Sequence, residues 1–382
     1  MARHNPFDYG GPVTGDHFTG RSRELAAVTD RLADHIGVAV VAPRRYGKSS
    51  LIKQACLQLE ASSPAPAVVG VNLLQAGSMA DAAAALVRAL YRVPGGPWHR
   101  LRQVLPGFLG RLRVQPSVTF DPAGSPSFEI SPQLSQEDLA RTVADVYGIL
   151  DEIGRKRPAV LVLDEFQASV DLSRHLPRLL KALGDEHRNV SLVLAGSRQH
   201  LMESLVLSRG APLYNMLERI TLQPIPREDW IPFLVRRARA GGRAFTDRAA
   251  AEAVWELAGP VPFDVQQLAF ESFAQAGRAI DVPTVERAVH GLVHHRESEY
   301  ARAVERLAPG QRRVLKALAL GATATTGSSR FATTAGLSDA TSVRKALQVL
   351  ENLELVVRRD GVPAVDDPFL AAWLRRPGED GG

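Results

Sequence analysis

Apolar residues in the first half of the chain fall into short unbroken runs, separated by stretches of helical periodicity. The runs at 38–41, 68–73, 159–163 and 190–196 are rich in β-branched residues and are bounded by polar or turn-forming residues. Such runs predict strands that are buried on both faces, as in a parallel sheet covered by helices. Apolar residues recur every three or four positions over 136–155, which predicts a helix. The pattern therefore predicts an α/β fold with a parallel sheet.

The pattern changes after residue 225 and divides the chain into predicted domains. Residues 1–225 form the predicted α/β core, with an N-terminal arm and an inserted hairpin near 114–130, where polar and apolar residues alternate. Residues 226–298 are wholly helical and predict a lid-like bundle. Residues 299–376 predict three helices followed by a hairpin with Asp-Gly at its turn, which is the order of a winged helix. The tail at 377–382 is predicted to be disordered.

The first strand leads into a loop and a helix that resemble a phosphate-binding P-loop. The sequence fits G-x-x-x-x-G-K-[ST] at every position but the first, where Ala42 replaces glycine. In such a loop Gly47 lets backbone N–H groups approach phosphate, Lys48 reaches the β- and γ-phosphates, and the Ser49 hydroxyl ligates Mg²⁺. The alternative is a chance Gly-Lys-Ser on a surface turn. The predicted nucleotide-binding residues of this loop are Pro43, Arg44, Arg45, Tyr46, Gly47, Lys48, Ser49 and Ser50.

Two carboxylates follow the strand at 159–163, as in a Walker B motif. Asp164 is the predicted Mg²⁺ residue, together with Ser49 of the P-loop. Glu165 is the predicted general base, which polarises the attacking water. The alternative is a strand followed by an acidic turn. An ATPase core of the ASCE type, with an Asp-Glu Walker B motif, follows from the two motifs together.

Two further residues are candidates for contact with phosphate. Ser197 follows the strand at 190–196, which in such ATPases lies between the P-loop strand and the Walker B strand, so its hydroxyl is predicted to sense the γ-phosphate and to be catalytic with Lys48 and Glu165. It could equally cap a helix that begins at Gln199. Arg219 could face a phosphate in this or a neighbouring subunit, or form a surface salt bridge.

A Gly20-Arg21-x-x-Glu24 element precedes the P-loop strand, and Arg21 is predicted to lie beside the base of a bound nucleotide. The alternative is a helix start with an acidic residue in its first turn. A second basic element, at 98–113, could contact nucleic acid or an acidic partner, or form a solvated helix face.

Composition narrows the class of protein without identifying it. The 382 residues are 45% apolar and 23% charged, with a net charge of +5, which permits an anionic partner without requiring one. The single cysteine, Cys56, excludes an internal disulfide framework and is expected to be a packed core thiol. The sequence contains neither an apolar run of membrane-spanning length nor an N-terminal signal peptide, so we expect no membrane contact and a cytoplasmic location.

Several motifs together resemble the archaeal-type ATPase family, which belongs to the STAND group of AAA+-related P-loop ATPases and is akin to origin-recognition-type ATPases. The resemblance covers almost the whole chain and implies an ATP-binding core, a helical lid and a C-terminal winged helix. The Gly-x-Pro lid element of the family would fall on Pro260-Val261-Pro262, with Gly259 one position early, which makes Pro262 a nucleotide-contact candidate. The motifs are Asn5-Pro6-Phe7, Gly20-Arg21-x-x-Glu24, 43–49, 164–167, Gly196-Ser197 and 366–374.

We expect an ATP-binding switch that hydrolyses ATP slowly with Mg²⁺, closing its lid and winged helix with ATP and releasing them after hydrolysis. The alternative is a DNA-binding regulator or loader that uses ATP to set its shape. The expected partners are ATP and ADP, double-stranded DNA or a protein at the winged helix, and other copies of the chain in a nucleotide-dependent oligomer.

Overall fold

The computed structural model covers the chain with several gaps. The described residues are 5–61, 64–93, 110–114, 116–120, 126–131, 133–322, 329–359 and 361–376. Most of the predicted basic element at 98–113 lies outside them, as do the hairpin residues 121–125, Asp360 of the second hairpin turn and the tail at 377–382. The chain forms two compact units, Gly11–Pro224 and Met1–Gly10 with Ile225–Gly382.

The first unit is built on a five-stranded parallel sheet. Its strands are β1 Gly37–Val41, β2 Ala67–Asn72, β5 Ala159–Asp164, β6 Ser191–Gly196 and β7 Leu217–Thr221, in the order β2-β5-β6-β1-β7. β6 lies between β1 and β5, as the sequence predicted, and β1 and β6 are buried along most or all of their length. The α/β core with a parallel sheet is thus confirmed.

Helices cover this sheet and bury an extended apolar core against it. Cys56 belongs to the buried residues of the P-loop helix, and burial raises the pKa of its thiol to about 12, so it stays protonated. No helix among the described residues is long and apolar enough to cross a membrane. The α-helices of this unit are Ser22–Ala33, Lys48–Ala61, Met79–Tyr91, Gln136–Gly154, Ser169–Leu172, Leu176–Glu186 and Gln199–Met202.

The predicted hairpin near 114–130 is present as two short antiparallel strands, β3 Ser117–Phe120 and β4 Pro126–Glu129. Phe128 is fully buried and Arg88 donates to its carbonyl at 3.2 Å. The hairpin therefore packs on the helix Met79–Tyr91 of the same unit.

A buried carboxylate ties the end of the helix Gln136–Gly154 to the start of β6. Asp151 is 4% exposed and accepts hydrogen bonds from the backbone N–H and the side-chain amide of Asn189, both at 3.0 Å. Burial alone would raise the pKa of Asp151. The hydrogen bonds from Asn189 and the charges of His187 and Arg155 outweigh burial and lower this pKa below its ordinary value of 3.8.

We expect Asp151→Ala to destabilise the first unit by about 1–3 kcal/mol at pH 7, because it leaves the half-buried Asn189 donors without their buried acceptor. A folded-state pKa below the unfolded value means that this contribution is complete above about pH 4 and is lost as the pH falls through the folded pKa. Melting temperatures of the wild type and the variant should therefore converge as the pH falls below about 4. Asp185→Ala, which removes an exposed ion pair with Lys181, should change little at any pH.

The second unit is helical and ends in a winged helix. Its last part has the predicted order of helices followed by an antiparallel hairpin, β10 Val356–Arg359 and β11 Val362–Val365. Two residue pairs, β8 Ala244–Phe245 and β9 Ala279–Ile280, form a short parallel bridge. The α-helices are Arg227–Ala240, Arg248–Ala258, Pro262–Gln275, Val282–His295, Glu297–Glu305, Pro309–Ala319, Ser329–Thr334, Ala340–Asn352 and Pro368–Leu374.

Asp367 joins the predicted lid to the winged helix within this unit. One oxygen, Oδ1, caps the final helix by accepting from the Phe369 N–H at 2.7 Å. The other, Oδ2, accepts from Arg296 at 3.3 Å and from the Tyr300 hydroxyl at 3.2 Å. Arg296 also donates to Gln267 of the helix Pro262–Gln275 at 3.2 Å. Lid and winged helix share one hydrophobic core as well.

The N-terminal arm packs in the second unit, whereas the sequence assigned it to the α/β core. The Arg237 guanidinium donates to the Pro6 carbonyl at 2.6 Å. Phe7 is 2% exposed and its ring meets that of Phe273 edge-on, with centroids 6.1 Å apart. Hydrophobic periodicity could not place this arm, because its partners lie more than two hundred residues away in the chain.

Candidate functional site

The loop after β1 contains two residues with a positive φ. Gly47 has a φ of 83°, in the region that favours glycine, and Arg45 also has a positive φ, 66°. Ala42, which replaces the first P-loop glycine, is fully buried and is not among the described residues with positive φ. A Cβ is therefore tolerated at Ala42, and the departure from the motif carries no backbone strain.

Lys48 and Ser49 begin the helix that follows the loop, where helix N–H groups and the helix dipole favour an anion. The Lys48 ammonium is buried, at 6% exposure, and donates to the carbonyls of Ala42 and Pro43, both at 3.1 Å. This cation is thus held over the loop that would carry phosphate.

The P-loop and the Walker B strand meet through a direct hydrogen bond. The Ser49 hydroxyl donates to Asp164 Oδ2 at 2.6 Å. Asp164 Oδ1 accepts from the Glu165 N–H at 2.9 Å. The two residues are far apart in sequence, and they meet because the carboxyl ends of parallel strands lie at one edge of the sheet. The structure therefore brings together both residues predicted to hold Mg²⁺.

Glu165 occupies the left-handed region, with φ 52° and ψ 45°, where the chain turns from β5 into a short 3₁₀ turn. Its Oε2 accepts from the Ser197 hydroxyl at 2.9 Å. The sequence predicted both residues separately, and the structure joins them. The proton of the Ser197 hydroxyl is thereby directed at the predicted base.

Gln167 is the site residue that sequence reasoning missed. It is 6% exposed, and its amide donates to Glu165 Oε2 and, at 3.1 Å, to the Ser197 hydroxyl. Its Oε1 accepts from the Ser197 N–H at 3.3 Å. The Asp-Glu-Phe-Gln motif contained the signal, since a polar residue two positions after the base is close enough to contact it.

Arg21 contacts the P-loop itself. Its guanidinium is buried, with the side chain 4% exposed, and donates to the Tyr46 carbonyl at 3.3 Å, to Glu24 at 3.1 Å and to the Gln223 carbonyl. Burial lowers the pKa of Arg21 from its ordinary value, and the bond to Glu24 opposes this shift. Arg21 thus connects the P-loop to Gln223, which lies one residue before Pro224 at the end of the first unit.

The segment before the first α-helix also contacts the P-loop helix. The Val13 N–H donates to the Ser50 hydroxyl oxygen at 3.0 Å, and the Gly15 N–H donates to Gln54 Oε1 at 2.8 Å. Ser50 was predicted as a nucleotide-binding residue, and in the structure its oxygen accepts from the segment before the first helix. The sequence could not indicate Val13, because its contact is made by the backbone N–H, which nearly every residue type carries.

The remaining candidates are spread over both units. Arg44 is exposed, whereas Tyr46 is buried at 4% exposure. Arg219 lies on β7 and donates to Thr221 at 3.0 Å. Pro262 begins a helix of the second unit, so its contact with nucleotide stays a prediction.

The side chains of Ser49 and Asp164 suit a Mg²⁺ ion that is shared with a nucleotide better than a metal ion bound by protein side chains alone. Ser49 and Asp164 supply a hydroxyl and a carboxylate, the oxygen ligands that Mg²⁺ prefers together with substrate phosphates and water. Among the described residues no group of three or more His, Cys, Asp or Glu side chains could hold a metal ion. The residues present therefore fit Mg²⁺ bound jointly with a nucleotide.

Solved structures with similar folds cover nearly the whole chain. The Walker-type ATPase PABY2304 of Pyrococcus abyssi is 17% identical, with a TM-score of 0.66, over 97% of this chain and 99% of that one. The ORC2 protein of Aeropyrum pernix, solved as ADPNP–ADP complexes, is 16% identical, with a TM-score of 0.57, over 98% and 96%. The ORC1 protein of Aeropyrum pernix, solved in complex with DNA, is 15% identical, with a TM-score of 0.50, over 94% and 93%.

The chain has the fold of the origin-recognition-type P-loop ATPases. The resemblance stated from the motifs is thus confirmed at the level of the fold. A family model described as "Probable winged helix domain" matches residues 298–376, which confirms the C-terminal winged helix. No curated protein sequence matches the chain.

Proposed function

We propose that this chain binds ATP with Mg²⁺ at the P-loop, hydrolyses it slowly and changes conformation with the bound nucleotide. The observation that carries the proposal is the 2.6 Å hydrogen bond from the Ser49 hydroxyl to Asp164 Oδ2. It joins the Walker A and Walker B residues in the pairing that a nucleotide-bound Mg²⁺ requires.

Phosphate binding is assigned to the loop from Pro43 to Ser49 and to the first turn of its helix. Lys48 would exchange its bonds to the Ala42 and Pro43 carbonyls for the β- and γ-phosphates. Such an exchange has a low cost, because the ammonium is already buried and oriented and gains charged acceptors.

Ser49 and Asp164 would hold the Mg²⁺, which when bound neutralises charge on the phosphate oxygens. Glu165 would accept the proton of the attacking water while the water oxygen bonds to the γ-phosphorus. The bond from that phosphorus to the bridging oxygen breaks, and the products are ADP and inorganic phosphate. Ser197 would contact the γ-phosphate when its hydroxyl turns from Glu165 to a phosphate oxygen, since phosphate oxygens only accept hydrogen bonds.

The switch is assigned to the P-loop and to the end of the first unit. Arg21 donates both to Tyr46 in the loop and to Gln223, and the chain passes from the first unit into the second at Ile225. A change in the loop on nucleotide binding would reach this connection through Arg21. We expect the scattering profile of the chain to differ between the apo form and the complex with a non-hydrolysable ATP analogue.

The experiment that tests the proposal is calorimetric titration of the wild type with ATP, with and without Mg²⁺. We expect binding that Mg²⁺ strengthens, followed by formation of ADP on incubation. If ATP does not bind in either condition, the proposal is wrong. If ATP binds and no ADP forms, the chain is a nucleotide-binding scaffold.

A DNA-binding regulator is the second candidate, and the surface of the winged helix favours it. The helix Ala340–Asn352 buries Val343 and Leu347 in the core of the unit and exposes Arg344 and Lys345. The ORC1 protein, solved in complex with DNA, has a similar fold. Basic residues on an exposed helix suit phosphate contact in a nucleic acid.

The second candidate predicts that duplex DNA binds with an affinity that falls as salt rises. Arg344→Ala with Lys345→Ala should weaken binding at every sequence and reduce the logarithmic salt slope by about 1–2, one for each lost phosphate contact. Lys181→Ala, which changes a solvent-accessible lysine of the first unit, is the control and should change neither quantity. Fluorescence anisotropy over a salt series measures both. Salt-independent binding, or none, excludes this candidate.

A further inference from the structure

The amide of Gln167 is satisfied on every side by the base and the sensor residue. Its nitrogen donates to Glu165 Oε2 and to the Ser197 hydroxyl, while its oxygen accepts from the Ser197 N–H. The Ser197 hydroxyl in turn donates to Glu165 Oε2. Three side chains from two neighbouring strand ends thus form a closed ring of hydrogen bonds.

Only one orientation of the Gln167 amide fits this ring of hydrogen bonds. If the Gln167 amide were rotated by half a turn, its oxygen would face the Glu165 carboxylate and its NH₂ group would face the Ser197 N–H. Both pairs would be repulsive, since a carboxylate offers only acceptors and a backbone N–H only a donor. The orientation of Gln167 therefore follows from its partners.

The Gln167 amide also depends on the absence of a side chain at Gly196. Gly196 ends β6, and a Cβ added there would lie 2.9 Å from Gln167 Oε1 and would clash with the Met202 sulfur. Contacts below 3.0 Å force a neighbour to move, so glycine at this position leaves the space that Gln167 occupies. Both residues at the end of β6 thus contribute to the ring: Gly196 leaves space for the Gln167 amide, and Ser197 supplies a hydroxyl.

We propose that Gln167 is a positioning residue that holds the Glu165 carboxylate and the Ser197 hydroxyl oxygen in one arrangement for ATP hydrolysis. Both donors meet Glu165 Oε2, so Oε1 is the oxygen that takes the proton of the attacking water. Gln167 itself does not touch the water or the phosphate. This inference rests on the proposed ATPase function and assigns a role to a residue outside the P-loop and the Walker B carboxylates.

The first test replaces Gln167 by methionine, which has nearly the same volume and no amide. We expect single-turnover hydrolysis by Gln167→Met to fall by about 10- to 100-fold, the usual effect of removing a residue that orients a reacting group through hydrogen bonds. The dissociation constant for ATP should stay within about twofold, because most contacts to phosphate and metal are assigned to Lys48, Ser49 and Asp164. Thr142→Val removes the fully buried hydroxyl of Thr142 from the same unit and should leave the rate unchanged.

The second test separates positioning from a general effect on stability. Gln167→Met is combined with Glu165→Gln, which has no carboxylate to position. If Gln167 acts through Glu165, the double variant should hydrolyse ATP within about twofold of Glu165→Gln alone, because residues acting as a unit are not additive. A purely structural role would lower the rate by the same factor in both backgrounds.

The outcomes distinguish this inference from the proposed function. If the wild type forms no ADP, both fail. If the wild type hydrolyses ATP and folded Gln167→Met hydrolyses it at the same rate, the inference alone is wrong. The inference is also wrong if Gln167→Met lowers the rate by the same factor in the wild type and in Glu165→Gln. Should Gln167→Met not fold, Gln167→Asn, which keeps an amide one methylene shorter, takes its place in the same two comparisons.

Discussion

Glu165→Gln is expected to bind ATP and Mg²⁺ as the wild type does and to hydrolyse ATP about 10²–10⁴-fold more slowly, the range for loss of a general base. This corresponds to about 3–5 kcal/mol of activation free energy. The amide oxygen of a glutamine at this position can still accept from Gln167 and Ser197, so the ring of hydrogen bonds survives. It cannot accept the proton of the attacking water.

Binding should persist because the phosphate and metal contacts are assigned to Lys48, Ser49 and Asp164. The variant should therefore accumulate the ATP-bound conformation. Calorimetry and steady-state ADP formation measure the two properties separately. Glu60→Gln changes an exposed residue of the P-loop helix in the same way and is the control, with wild-type behaviour in both measurements.

Lys48→Ala has the second large effect, because it removes the buried cation of the P-loop. Charge-assisted hydrogen bonds contribute about 1.5–3 kcal/mol each, so loss of the bonds to two phosphates should cost about 3–6 kcal/mol of binding. This corresponds to an increase of roughly 10²–10⁴-fold in the dissociation constant for ATP. We expect no calorimetric signal at concentrations that saturate the wild type.

Lys53→Ala is the matched control, since Lys53 lies exposed on the same helix. It loses the same charge from the chain without touching the loop, and it should bind ATP as the wild type does. Equal melting temperatures would verify that Lys48→Ala is folded despite the lost bonds to Ala42 and Pro43. If folded Lys48→Ala bound ATP with wild-type affinity, the assignment of this loop as a P-loop would be wrong.

Much of the site could be predicted from sequence, because its main parts are continuous segments attached to buried strands. The loop from Ala42 to Ser49 is one local motif, and its glycine requirement lies at Gly47, which has a positive φ as Arg45 does. Asp164 and Glu165 follow β5 directly. In a parallel sheet the carboxyl ends of strands share one edge, so the meeting of Ser49 with Asp164 followed from the order of the strands.

The residues that sequence reasoning missed or misplaced depend on long-range contacts. Gln167 contacts Ser197, which directly follows the next strand of the sheet, and Gly196 leaves the space that Gln167 fills. The arm at Pro6 and Phe7 packs on helices near the other end of the chain. Hydrophobic periodicity describes which face of an element is buried, but it does not identify the partner of an irregular segment.

Single-turnover hydrolysis of ATP by an excess of protein tests the central claim most directly, namely that Glu165 drives hydrolysis at a Mg²⁺ site made by Ser49 and Asp164. The wild type should convert the bound ATP to ADP in one exponential phase that chelation of Mg²⁺ abolishes. In parallel, Glu165→Gln should keep its ATP intact over the same period. Conversion by Glu165→Gln within about threefold of the wild-type rate, far below the general-base range, would contradict the account.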